Sequence, residues 1–586
     1  MRSVELLFDK LGHFKRFQAC VYFAVVFQAI SCGIHYLASV FLTATPKFVC
    51  RAPENITSVL YGNYSGTTMD DIWEYWSAGQ SYVLVGTESG SQWELSQCSL
   101  ARRISSINFD YEFSGNKTVY SCSDSYIYDY SEVQQSIVTD WNLVCEKEWL
   151  AKLSQPTFMF GVLTGALIFG DLADRVGRRP IMMLTSLSQF GFGIAVAFTY
   201  NYYSFVIVRF LLAMVTSGYL VVVFVYVTEF TGIKVRTWTS MHVHAAFAVG
   251  IMVVALVGYL VRIWRMYQII LTLSTLPFIF ICWKLPETPF YLLAKGRYQE
   301  AQVLIDTIAR VNDITTSCKV SDFIESNGDN MIDRDATKHQ EDMEQKKLSI
   351  LDLFRTRKLA GRSITLWLVW FTSSLGYYVI SLGSVNLGGN QYLNLFIAGA
   401  VELPSYIIAC IAMDRIGRRN TLAPSLLLSG IACALVILVP KNIGLVAIIL
   451  SMTGKFAIAI AFGLIYLYTC ELYPTIVRTL AVGSGSMMCR VGSIVAPFCV
   501  YLTSIWTHLP QVIIGVLAFL IGLLTLMLPE TLGQPLTTTM EEAEALGSKQ
   551  NKDKEVIGPA EENIEINSQN REKDLESARI CNSYRF

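Results

Sequence analysis

The chain has 586 residues, enough for about four soluble domains, yet 53% of them are hydrophobic and only 16% are charged, with a mean hydropathy of +0.41. Soluble domains are about a quarter charged, and here the deficit is gathered into long apolar runs such as 219–227 and 443–450, which excludes a soluble chain and indicates a polytopic membrane protein. A formal charge of −1 excludes the global basic surface of a nucleic-acid binder and the acidity of a solvated, unfolded chain.

A bilayer core needs about 20 apolar residues per helix. Taken in chain order, the spans that satisfy this ruler are 20–43, 149–170, 181–200, 204–228, 239–261, 265–284, 363–383, 391–412, 421–439, 443–468, 480–501 and 509–528. Residues 1–19 hold no uninterrupted apolar run, so no cleavable signal peptide is expected and the first span acts as its own insertion signal. The predicted fold is all-α, with twelve transmembrane helices in a six-plus-six layout. A short N-terminus (1–19) leads into a first bundle (20–284) that includes a large polar loop (44–148). A charged linker (285–361) follows, whose start is amphipathic at 290–293 and 301–305. A second bundle (362–528) ends in a polar, largely disordered tail (529–586).

Orientation follows from the bias of Lys and Arg toward the cytosol. Arg175, Arg178 and Arg179 follow span two, Lys234 and Arg236 follow span four, and Arg415, Arg418 and Arg419 follow span eight. These loops are cytosolic on this reading, as are both termini, and loop 44–148 falls outside. That loop holds the chain's three Asn-x-Ser/Thr sequons, at Asn55, Asn63 and Asn116, which are glycosylation acceptors on an outer face. It also gathers four of the fourteen cysteines, Cys50, Cys98, Cys122 and Cys145, a disulfide framework with three possible connectivities. Arg262 and Arg265, in a short outer loop, run against the bias.

Three motifs recur at nearly one spacing. Asp174-Arg-Val-Gly-Arg-Arg179 returns as Asp414-Arg-Ile-Gly-Arg-Arg419, Glu229 with Arg236 returns as Glu471 with Arg478, and Pro286-Glu-Thr288 returns as Pro529-Glu-Thr531. Two homologous halves with a central site between them are a transporter plan.

The Asp-Arg-x-Gly-Arg-Arg motif and its echo resemble the cytosolic gating motif of the major facilitator superfamily. The sequon-bearing loop after span one, Tyr473-Pro-Thr-Ile-Val-Arg478 and Pro286-Glu-Thr-Pro289 narrow the resemblance to solute carrier family 22, over nearly the whole chain. Ser31–Ser39, Ser384–Asn390 and Gly454–Ile458 are similar to the carnitine carriers of that family. One departure concerns the inner gate: the family often reads Pro-Glu-Ser-Pro-Arg-Trp, whereas Phe290 and Tyr291 stand here after Pro289.

Charges within a span are costly and mark function. Glu402, Lys455 and Arg490 lie well inside spans, two cations against one anion. If Glu402 pairs with Lys455 or Arg490, one positive charge remains for an anionic group on the substrate. Arg490, always charged and able to grip a carboxylate with two hydrogen bonds, is the expected ligand. Lys455 is open between ligand contact and pairing, and Glu402 reads as a balancing partner. The resemblance places arginine at this point in anion and carnitine carriers. It also places Ser373 where cation carriers hold an acid. A quaternary ammonium is held by aromatic faces instead, and family matching offers Tyr36, Tyr219, Phe224, Phe247, Trp370 and Tyr377 as walls. His244 is a hydrogen-bonding candidate, set two residues from His242 and so on a different helix face. No cluster with metal-ligand spacing stands out, and no cofactor is expected, although sodium coupling would leave no sequence mark.

Asp174, Arg178, Arg179, Glu229 and Arg236, with Asp414, Arg418, Arg419, Glu471 and Arg478, form the expected gates, with Glu229 pairing Arg236 and Glu471 pairing Arg478. The function implied is a plasma-membrane secondary transporter, not an enzyme, that moves carnitine or similar zwitterions by alternating access. A polyspecific organic cation transporter is the alternative, and a non-transporting receptor a weaker one. The partners are a small-molecule substrate and the lipid bilayer.

Overall fold

A computed structural model of the protein describes residues 8, 11–50, 82–85, 91–95, 98–104, 117–122, 126–131, 133–314, 320, 350–440, 443–534, 537 and 540–546. Asn55, Asn63 and Asn116 lie outside these residues, as do most of the linker's centre and the tail after residue 546. Among the described residues, eleven helical stretches are long and apolar enough to cross a membrane, and a twelfth, Leu509–Thr525, is shorter. They are α1 (Arg16–Leu37), α2 (Glu148–Val176), α3 (Arg178–Ala197), α4 (Tyr202–Phe230), α5 (Ile233–Leu260), α6 (Trp264–Leu273 and Leu276–Lys284), α7 (Arg357–Gly383), α8 (Gln391–Ala400 and Glu402–Arg415), α9 (Arg418–Leu435), α10 (Gly444–Leu472), α11 (Thr475–Tyr501) and α12 (Leu509–Thr525). Each expected span falls on one of them. Large side chains such as Phe23, Ile207, Phe280 and Leu445 are exposed around the bundle, and a bilayer is the solvent that covers such a surface.

Helix ends differ from the hydropathy ruler for a plain reason. The last turn of α2 carries Asp171, Asp174 and Arg175, so the helix outlasts its apolar part. The two broken spans each break at a proline, whereas Pro156, Pro424 and Pro497 are carried inside continuous helices. Pro277 and Pro404 each lack the amide that would bond the carbonyl four residues back, and the first pieces of α6 and α8 stop at Leu273 and Ala400.

On the face that carries the linker, Gly177 (φ 119°) and Gly417 (φ 107°) turn α2 into α3 and α8 into α9. Glu287 accepts the amides of Arg178 and Arg179, both at 3.2 Å, and Glu530 accepts those of Arg418 at 2.7 Å and Asn420 at 3.2 Å. A Cβ on either glycine would sit 2.6 Å from that carboxylate. The conformation and the contact therefore both demand glycine. Elsewhere in the first half, Gly33 of α1 and Gly250 of α5 let two backbones touch, since an added Cβ would lie 2.3 Å from the Phe247 and Ile30 carbonyls respectively.

The halves α1–α6 and α7–α12 meet at the opposite, loop-bearing face. Phe41 stacks on Tyr392 at 4.9 Å, Tyr259 meets Tyr392 edge-on at 5.7 Å, and the Lys152 ammonium lies 3.6 Å over the Tyr501 ring. The loop contributes six short strands. These are β1 (Phe48–Cys50), β2 (Tyr82–Val85), β3 (Ser91–Leu95), β4 (Ser99–Ile104), β5 (Lys117–Ser121) and β6 (Tyr126–Tyr128). They form an antiparallel sheet β2-β3-β4-β5 and a ribbon β1-β6 with Phe48 opposite Tyr128. Disulfides join Cys50 to Cys122 and Cys98 to Cys145, one of the three connectivities open from sequence. Arg262 and Arg265, the exceptions to the charge bias, are both engaged by this loop. Arg262 donates to the Ser131 carbonyl at 2.9 Å, and Arg265 lies 3.5 Å from Asp140, which also accepts the Trp264 indole N–H at 2.9 Å.

Candidate functional site

Of the two pairings left open for Glu402 in the second half, the one with Lys455 forms. Glu402 begins the second piece of α8, where the helix dipole favours a carboxylate. Its Oε1 pairs with Lys455 Nζ at 2.9 Å, and both side chains are fully buried. Tyr377 and Tyr406 donate their hydroxyls to Oε2 at 3.0 and 3.1 Å. The ammonium also donates to the Tyr377 carbonyl and the Ser381 hydroxyl, and lies 3.1 Å over the Tyr377 ring. Such closure matters, because a buried pair compensates its desolvation only when its remaining hydrogen-bonding capacity is filled.

Arg490 is thereby left as the uncompensated cation. It is buried in α11, pairs with no acid among the described residues, and its Nε has no partner. Its electrostatic neighbours are the phenols of Tyr36, Tyr378 and Tyr466 and the thiol of Cys489. A guanidinium so placed can receive an oxyanion in its fork.

A ring cluster spans the seam between the halves. His244 of α5 faces Tyr406 (5.8 Å), Tyr466 (5.9 Å) and Phe462 (6.1 Å) of the other half, and Phe224 of α4 meets Tyr466 at 5.8 Å. Trp370 stands edge-on to Tyr466 at 4.4 Å. Of the residues singled out from sequence, Phe224, His244 and Trp370 come together here. Tyr36 and Phe247 form a pair of their own at 5.2 Å. Two expectations need correction. Tyr219 is turned into the first half, donating to the Val25 carbonyl and meeting Phe278 edge-on, because its hydroxyl finds its acceptor on α1. Tyr377 is committed on both faces, to Lys455 and to Phe462 at 5.5 Å, and so is no open wall.

The rings that sequence reasoning missed are Tyr406, Phe462 and Tyr466. Their signal was spacing: Phe462 and Tyr466 follow Lys455 by seven and eleven residues and so share its face, and Tyr406 follows Glu402 by four. Missed too was Arg209, near the start of the span 204–228. It is 2% exposed, donates to Gln155 at 3.4 Å, and lies 5.0 Å from the Phe158 ring.

The motif charges at the linker face were expected to meet across the cytosolic seam; among the described residues their ion pairs instead lie within each half, because each arginine reaches a carboxylate of its own bundle first. Arg178 binds Glu229 at 2.9 Å and Asp174 at 3.0 Å, and Thr288 donates to Glu229 at 2.5 Å. Arg418 binds Glu471 at 3.0 Å, and Thr531 donates to Glu471 at 2.6 Å. The expected Glu471–Arg478 pair is corrected. Pro474 starts a new helix, and Arg478 donates instead to the carbonyls of Tyr473 and Thr537. For Glu229 the partner is likewise Arg178, and the side chain of Arg236 lies outside the described residues. Arg179 donates to the Trp283 carbonyl, and Arg419 to that of Leu528. Tyr291, which follows the Phe290 that stands where the family often has arginine, donates to the Arg175 carbonyl and lies under the Arg178 guanidinium at 5.2 Å.

Residues 101–543 match the family described as sugar (and other) transporter. The chain is similar to solute carrier family 22 member 16 of Xenopus laevis, with 61% identity over 93% of this chain and 95% of the relative. The Homo sapiens protein of that name is 52% identical over 94% of each. The Homo sapiens organic cation/carnitine transporter 2 is 34% identical over 92% of this chain and 94% of its own length. Among solved structures, the major facilitator superfamily proton:xylose symporter XylE bound to 6-bromo-6-deoxy-D-glucose superposes with a TM-score of 0.56, covering 90% of this chain and 98% of that one at 15% identity, a likeness of fold. Twelve helices in two halves, mirrored charge motifs and relatives of this identity and coverage lead to one conclusion: the chain is a multi-pass membrane transporter, not an enzyme, and belongs to solute carrier family 22.

Proposed function

We propose that the protein is a plasma-membrane carrier of carnitine or similar zwitterionic quaternary ammonium compounds, working by alternating access with both termini in the cytosol. The observation that carries this reading is that Glu402 is consumed by Lys455, which leaves Arg490, of these three, without an acid among the described residues. The substrate carboxylate occupies the Arg490 fork, and its trimethylammonium group lies against Phe224, His244, Trp370, Tyr406, Phe462 and Tyr466, held by cation–π attraction without a carboxylate. Tyr36 and Phe247 form the wall on the α1 side. A relative that is an organic cation/carnitine transporter supports this chemistry. Asp174, Arg178 and Glu229 in one half and Arg418 and Glu471 in the other lock each half as a body that rocks against the other, while the loop with Asn55, Asn63 and Asn116 lies outside and is glycosylated.

Labelled carnitine uptake into cells expressing the full chain, against mock cells, tests the proposal, with sodium present and then replaced to establish coupling. Arg490→Ala, at equal surface expression, is expected to abolish saturable uptake. Unchanged affinity and rate would remove Arg490 from the site, and competition by tetramethylammonium equal to that by carnitine would favour a polyspecific cation carrier.

A further inference from the structure

Above the closed loop face lies a cavity of about 560 Å³ that no part of the central site uses. It straddles the seam, with Asp129, Glu148 and Lys152 from the first half and its loop, and Gln391, Tyr501 and Ser504 from the second. Its floor holds the Lys152 ammonium over the Tyr501 ring at 3.6 Å, and Lys152 is also ion-paired with Glu148 one helical turn away. The ammonium thus ties α2 to α11 across the two halves by a cation resting on an aromatic face.

A lysine ammonium is a poor occupant of such a face when a competitor is present. It is compact and strongly hydrated, whereas a quaternary ammonium has no N–H to surrender and favours an aromatic surface. From these contacts we infer that the vestibule is a second, outer binding site for zwitterionic quaternary ammonium compounds, in which the ligand's ammonium displaces Lys152 from Tyr501 and its carboxylate receives the displaced lysine. The exchange leaves no charge unpaired: the ring keeps a cation, Lys152 gains a carboxylate, and Glu148 remains beside both. A plain quaternary cation can make only half of it, because it would bring a second positive charge beside Lys152. The site therefore selects zwitterions before the central cavity is reached. Occupation replaces the direct tie between the halves by a longer one through the ligand, from Tyr501 of α11 to Lys152 of α2.

The inference deepens the carrier reading above, and the experiment separates the two. Ser504→Cys places a thiol on an exposed edge of the vestibule, and its modification by a membrane-impermeant thiol reagent is followed on intact cells expressing the full chain. The unsubstituted protein serves as the background. At a concentration about ten times its dissociation constant for the vestibule, carnitine is expected to slow modification about tenfold, and tetramethylammonium at the same concentration to slow it less. Tyr501→Leu should abolish protection by both, and Tyr501→Phe, which keeps the ring, should retain it. Lys152→Gln should make the two ligands equal. Arg490→Ala should abolish uptake yet leave protection intact. Uptake without protection, or protection indifferent to Tyr501→Leu, overturns the outer site while leaving the carrier standing. Protection without uptake overturns the carrier reading and leaves the outer site.

Discussion

Replacing Lys455 with methionine separates two roles of the buried pair, structural support and charge balance. The side chains of Glu402 and Lys455 are fully buried and 2.9 Å apart, and the carboxylate accepts two further phenolic hydrogen bonds. Removing one partner of such a pair costs about 3–5 kcal/mol, because the other charge stays buried without compensation. Lys455→Met and Glu402→Gln should each lower the thermal stability of the detergent-solubilised protein by that order, and the double variant should cost clearly less than their sum. The charge of the three central groups moves in opposite directions. It is +1 in the natural chain, with Lys455 and Arg490 against Glu402, falls to zero in Lys455→Met, and rises to +2 in Glu402→Gln. Lys455→Met should therefore admit carboxylate-free cations, read as stronger inhibition of carnitine uptake by tetramethylammonium, and Glu402→Gln should exclude them. Two single variants that each cost under about 1 kcal/mol, within the range of ordinary substitutions, would refute the claim that the pair closes on itself, as would strictly additive losses.

Other outcomes are expected at the glycine crossing and at the two caps. Gly33→Leu would drive side-chain atoms into the Phe247 carbonyl, where even a Cβ comes to 2.3 Å, and should abolish the monodisperse peak in size-exclusion chromatography. Glu287→Ala and Glu530→Ala each strip a carboxylate from two amides at a helix start, a loss of about 1 kcal/mol per site by analogy with helix caps. Since the two sites lie in different halves, thermal shifts of the pair should add, and marked non-additivity would mean that the halves do not behave as separate bodies.

What could be read from the sequence followed the range of the physics behind it. Twelve spans were legible because bilayer thickness acts on each helix locally, whereas the breaks at Pro277 and Pro404 were not, since Pro156, Pro424 and Pro497 are carried inside continuous helices. The charge count at Glu402, Lys455 and Arg490 was legible as arithmetic, but the choice of Lys455 as partner was not, since it depends on how α8 and α10 pack. Partner choice also failed at Glu471. Arg478 is close in the chain, yet Arg418 reaches the carboxylate through the fold. The strands of the outer loop are only three to six residues long, with registers tied to non-local pairing and disulfides, and a short alternating pattern does not distinguish them from a polar loop. Tyr219 shows the same limit for a single ring: an aromatic in an apolar helix has several neighbours to choose from, and only packing decides among them.

Among its described residues, the loop 44–148 is fastened to the first half. Asp140 is held by Trp264 and Arg265, the Arg262 guanidinium by the Ser131 carbonyl, and Trp141 donates to the Tyr200 carbonyl and packs on Phe205 and Trp264. The loop is accordingly a handle on the α1–α6 body. An antibody fragment seated on it alone would travel with that body and leave transport running, which makes it a suitable fiducial for imaging or a site for a fluorescent reporter of rocking. A binder that also reached the end of α11 would act as a splint across the seam and arrest the cycle with the loop face closed.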